Sequence, residues 1–66
     1  MKNRLKVARA ERDLSQADLA DRIGVSRQTI NSIETGRYVP STILALTLAE
    51  VFEKPVEALF QLEETD

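Results

Sequence analysis

The segment Gln16–Glu34, reading QADLADRIGVSRQTINSIE, restricts the possible folds of this chain more than any other stretch. Two helices that cross steeply through a turn of about three or four residues make several steric demands at once. A small residue has to sit where the helices touch, and Ala20 supplies it. The turn must open on a residue free to take positive φ, and Gly24 does so without steric cost. An apolar side chain must plug the inside of the turn, as Val25 can. Apolar residues must then recur at helical spacing on both sides, as Leu19, Ile23, Ile30 and Ile33 do. Each feature is common alone, but all of them in register make a fairly specific pattern.

The rest of the chain reads as further short helices. No stretch alternates apolar and polar residues long enough to make a strand, so an all-α fold of five helices is expected. Asn3 is placed to cap a first helix running to about Arg12, with Leu5 and Ala8 inward and Asp13 ending it. Ser15 caps a second helix, with Asp18 as its capping-box partner, and Ser26 caps a third that Gly36 ends. Ser41 caps a fourth helix reaching Phe52 or Glu53, and Pro55 suits the first turn of a short fifth carrying Val56, Leu59 and Phe60. One domain, residues 1–62, is expected, followed by an acidic tail, 63–66, that should fray.

With 66 residues the chain buries only about 60% of its unfolded surface, so its stability margin is thin. Cys and His are both absent, which removes disulfides and the usual nitrogen and sulfur metal ligands. No cofactor or metal site is expected. An enzyme is disfavoured too, because there is no glycine-rich phosphate loop and no clustered carboxylate set. No apolar run approaches the roughly 20 residues of a membrane span, and the basic N-terminus lacks the apolar stretch of a signal peptide. A cytoplasmic protein with no membrane association is the expectation.

A net charge of −2 looks unsuited to nucleic acid. It is unevenly spread. Eight basic residues face five acidic ones up to Tyr38, whereas from Val39 onward Lys54 alone faces six acids. Phosphates respond to the local field, so a basic half can bind DNA while the far end stays acidic.

The third helix carries the chemistry. With Ile30 and Ile33 inward, Arg27, Gln28, Asn31 and Ser32 point outward and Thr29 lies near the rim. Arg has the fork that reads guanine O6 and N7, and Gln and Asn carry amides that pair with adenine. Gln16 opens the second helix, where free backbone N–H groups attract a phosphate.

Leu14-Ser15-Gln16, Leu19-Ala20, Gly24-Val25-Ser26, Ile30, Ile33-Glu34 and Gly36 together resemble the Xre-like helix-turn-helix family of phage repressor and Cro type. The resemblance runs from the first helix to about Phe60. It implies a compact five-helix, lambda-repressor-like domain that puts its third helix into the major groove of double-stranded DNA. It also implies a phosphate contact and a brace to the third helix for Gln16, backbone contacts for Thr29, Thr35 and Arg37, and an internal Arg9–Glu34 salt bridge. Asp13 stands where Gly is frequent, Ala8 where a larger apolar residue is usual, and Glu53-Lys54-Pro55 replaces a Gly-containing turn.

A single domain reads few base pairs, so a homodimer on a palindromic operator is expected, its half-sites roughly 34 Å apart. Ile43, Leu46 and Val51, with parts of Val56, Phe60 and Leu62, exceed what the core needs and suggest a C-terminal dimer interface. The reading is a sequence-specific transcriptional repressor or autoregulator. Ending near residue 66, the chain is expected to lack a ligand-sensing domain. The alternative is an antitoxin-like protein-interaction module that also binds DNA, although the short acidic tail offers little to wrap a partner.

Overall fold

The computed structural model describes residues 1–66. Five helices form in order: α1 (Leu5–Glu11), α2 (Gln16–Ile23), α3 (Arg27–Glu34), α4 (Thr42–Phe52) and α5 (Val56–Leu59). The helical architecture is as expected, with one addition. Lys2–Asn3 (β1) pairs antiparallel with Phe60–Gln61 (β2), Asn3 facing Phe60 and Lys2 facing Gln61. This pairing corrects the strand-free reading. Two-residue strands are too short to show any alternation in sequence.

The ribbon also moves the start of α1. Arg4, not Asn3, holds the cap position, without a side-chain cap bond. Its backbone N–H donates instead to the Leu59 carbonyl at 2.8 Å. Asn3 keeps part of a capping role, since its Oδ1 accepts from the Leu5 N–H at 3.2 Å. Its Nδ2 donates to the Ile33 carbonyl at 2.8 Å, tying the ribbon to the last turn of α3.

The other helix ends follow local chemistry. Ser15 and Asp18 form a reciprocal capping box: Ser15 Oγ accepts from the Asp18 N–H, and the Asp18 carboxylate accepts from the Ser15 N–H. Ser26 and Ser41 cap α3 and α4 by accepting from the Thr29 and Leu44 N–H groups. Asp13 closes α1 at φ 59°, and Glu53 closes α4 at φ 54°. Behind Glu53, the Lys54 N–H reaches back to the Ala49 carbonyl at 3.0 Å, the long bond of a Schellman ending.

All five helices and β2 contribute to one core. Leu5 and Ala8 come from α1, Leu19 and Ala20 from α2, Ile30 and Ile33 from α3, Leu48, Ala49 and Phe52 from α4, Leu59 from α5 and Phe60 from β2. Leu14, Ile23, Val25, Leu44 and Ala45 pack around this cluster. Arg12 seals one end by donating to the Phe52 carbonyl at 2.9 Å, with its guanidinium 6.0 Å above the Phe52 ring. A cation there also answers the negative end of the α4 dipole. At the tail, the Met1 amine lies 3.0 Å from Asp66 and 3.3 Å from Glu63. These pairs are solvent-screened and add little against fraying.

Candidate nucleic-acid interface

The α2–α3 unit meets each demand read from the sequence. Ala20 is 3% exposed. Its carbonyl accepts from both Gly24 and Val25 N–H groups, which fixes the turn. Gly24 takes φ 76° with open space where a Cβ would stand, so it is the dihedral angle alone that favours glycine. Val25 is half-buried against the core, and Ile30 and Ile33 are fully enclosed.

Burying Ile30 and Ile33 turns the opposite face of α3 to solvent. Arg27, Gln28 and Asn31 are exposed, and Ser32 is half-buried. Gln28, Asn31 and Ser32 share a shallow polar groove with Ser26, Thr29, Arg37 and Tyr38. Arg27 projects from the first turn of α3 and does not line that groove. Ser26 is a groove residue that the sequence did not single out for this role, and Tyr38, which the sequence left open between packing and phosphate contact, lines the groove and is exposed. The only signal for Ser26 was its cap position.

Arg37 reaches the groove because the chain folds back after α3. Gly36 stands at φ 79° and donates to the Ile33 carbonyl, and both Arg37 and Tyr38 N–H groups donate to the Ser32 carbonyl. The guanidinium groups of Arg27 and Arg37 enter no intramolecular ion pair, so their charge is free for a ligand. The threonine hydroxyls are tied locally. Thr29 Oγ1 pairs with Ser26 Oγ at 3.0 Å, and Thr35 Oγ1 donates to the Asn31 carbonyl at 2.9 Å.

Beneath the face lies a charge-assisted brace. Arg9 donates through Nε to Glu34 Oε2 at 2.6 Å and through Nη2 to Glu34 Oε1 at 3.1 Å, and a third bond runs to the Leu14 carbonyl. The Arg9 and Glu34 side chains are only 14% and 5% exposed. The hydrogen bond that Arg9 donates to Glu34 pushes the Arg9 guanidinium pKa above its ordinary value. Gln16 joins this pair, its Nε2 lying 3.1 Å from Glu34 Oε1 and 3.2 Å from Asn31 Oδ1. One polar network thus links α1, the start of α2, and α3.

The residues set aside for a dimer interface divide. Ile43, Leu46 and Leu62 are exposed, at 79%, 54% and 80%. Val51 and Val56 are half-buried against the core. Phe60 is drawn into the core at 8% exposure, because β2 turns its side chain inward beside Leu59. No helix is long and apolar enough to cross a membrane.

A helix-turn-helix family model matches residues 5–59, most of the chain. An uncharacterized HTH-type transcriptional regulator of Methanocaldococcus jannaschii is 48% identical over 66 residues, covering all of both chains. A second such regulator, YgzD of Bacillus subtilis, is 47% identical over 64 residues, or 97% of each chain. Among solved structures, the SOS-response transcriptional repressor LexA from Eubacterium rectale superposes with a TM-score of 0.80 at 27% identity, over 94% of this chain and 66% of that one. Buried packing, turn geometry and these similarities agree: the chain belongs to the Xre-like helix-turn-helix family and is a transcriptional regulator with a DNA-binding helix-turn-helix domain, not an enzyme.

Proposed function

We propose that the protein is a sequence-specific repressor or autoregulator that binds a palindromic operator as a homodimer, with α3 lying in the major groove. The observation that carries this reading is the outward face of α3. It presents base-reading side chains, with Arg27 and Gln28 free of intramolecular partners, on a helix locked from beneath by the Arg9–Glu34 pair. Arg27, Gln28, Asn31 and Ser32 read base edges. Arg37, Thr29 and Thr35 meet the sugar-phosphate backbone. Gln16 joins them through its main-chain N–H at the start of α2, which has no intramolecular acceptor. The bulk of the positive charge lies in the half of the sequence that carries this face.

Dimerisation is supported by Ile43 and Leu46, one turn apart on α4, and by Leu62, all exposed and apolar. A repressor role is supported by the likeness to LexA, named as a repressor. The cytoplasm is the proposed location. Selection from a random duplex library tests the reading as a whole. The expected outcome is one enriched palindrome with half-sites about one helical turn apart. A library that emerges without an enriched motif would refute specific binding.

A further inference from the structure

We propose that Tyr38 reads the 5-methyl group of a thymine, so that the groove beside α3 separates thymine from cytosine and also responds to cytosine methylated at C5. The proposal rests on α3 being the reading helix.

Tyr38 supplies the only large apolar surface in a groove otherwise lined by aliphatic hydroxyls, amides and a guanidinium. It is 44% exposed, yet the main chain that carries it is held on both sides. Before it, Gly36 turns the chain at φ 79°, and the Arg37 and Tyr38 N–H groups donate to the Ser32 carbonyl at 2.9 and 3.2 Å. After it, Pro40 is buried, its φ fixed by its own ring and Val39 before it restricted to extended backbone. An aromatic side chain on so fixed a backbone has little conformational freedom to lose on binding.

The company Tyr38 keeps decides what its ring meets. It shares the groove with Gln28, Asn31 and Ser32, assigned to base edges, and with Arg37, assigned to the phosphates. A side chain placed among both sets meets DNA where the base edge passes into the backbone. In the major groove that place on a pyrimidine is C5, the outermost edge atom and the nearest to its own strand's backbone. Thymine carries a methyl there and cytosine a hydrogen. The polar lining residues can bond to O4 or N4 but gain nothing from a methyl group. The aromatic ring gains by taking it out of water.

The test uses the duplex that the wild-type protein selects from a random library, with deoxyuridine replacing one thymine at a time. Deoxyuridine lacks only the methyl. At one thymine of a half-site the replacement should weaken binding about fourfold, the factor for burying one methyl group. Tyr38→Ala should abolish the thymine–deoxyuridine difference at that position and nowhere else, whereas Tyr38→Phe, which keeps the ring, should retain it. Cytosine placed there should bind more weakly than thymine, and 5-methylcytosine should recover about fourfold over cytosine. If no thymine shows a methyl effect that disappears in Tyr38→Ala, the proposal is overturned. Tyr38→Phe and Tyr38→Ala equally weakened on every duplex would then assign the hydroxyl to a phosphate instead. A wild type that enriches no motif overturns the DNA reading itself, and this inference with it. A readout on the wild-type complex is independent of the variants' folding. By NMR, the Tyr38 ring protons should show a nuclear Overhauser effect to that thymine methyl, and its absence would contradict the contact.

Discussion

At Glu53 the chain ends α4 in the left-handed region, φ 54°, with a side chain that enters no hydrogen bond or ion pair. A non-glycine residue costs about 1–2 kcal/mol there. Glycine removes that cost but frees the unfolded chain, which offsets about 0.4–1 kcal/mol. Glu53→Gly should therefore stabilise by about 0.5–1 kcal/mol, and calorimetry should find Tm raised by several degrees. The arginines differ in what their loss should do. Arg27→Ala should relax base preference, because a guanidinium fork at the start of α3 reads guanine. Arg37→Ala should weaken binding to every sequence and shrink the salt slope by about one unit, because a phosphate contact carries no sequence information. Titrations at several salt concentrations, on matched and scrambled duplexes, separate the two outcomes.

The helices rest on ties of two ranges, and this decides what could be read beforehand. Caps are local: Ser15 with Asp18, Ser26 with Thr29 and Gly24 with its positive φ use residues within a few positions, so the sequence displays them directly. Asn3 to Ile33, Arg12 to Phe52 and the Asn3–Phe60 register join distant positions with no periodic signal. They appear only once the helices are packed, which is why Asn3 read as a simple cap and Phe60 as spare apolar surface. Arg9–Glu34 and the brace from Gln16 to α3 were legible only through family resemblance.

Two predictions belong to these ties. Removing Arg9 leaves the nearly enclosed Glu34 carboxylate with Gln16 alone, so Arg9→Ala should cost about 3 kcal/mol in urea unfolding. That is most of what so small a core supplies. The double variant Arg9→Met/Glu34→Leu should recover much of it. The capping box gives a pH effect. The Ser15 N–H, followed by its hydroxyl, holds the Asp18 carboxyl below its ordinary 3.8. A lowered folded pKa contributes stability above the unfolded value and loses it as pH falls through the folded one. Asp18→Asn should therefore flatten part of the decline in Tm below about pH 4, and an unchanged acid profile would refute this role.

Over the whole molecule the charge and the apolar surface separate. Arg27 and Arg37 flank the α3 face, whereas Glu50, Glu53, Glu57, Glu63, Glu64 and Asp66 lie in the C-terminal part, where Ile43, Leu46 and Leu62 stand uncovered. A dimer joined through that part keeps the acids away from phosphate and frees both reading helices. Ile43→Lys/Leu46→Lys should then sediment as a monomer and bind a full palindrome at least tenfold more weakly, with the helical circular dichroism signal retained. The expectations for DNA binding all depend on α3 as the element that meets DNA. Titrating the selected duplex into 15N-labelled protein tests that point most directly. Backbone and side-chain NMR shifts should move most across Arg27–Glu34, with smaller changes at Gln16 and Arg37 and almost none in α5. Changes centred on α5 or the acidic tail, with α3 unmoved, would contradict the account.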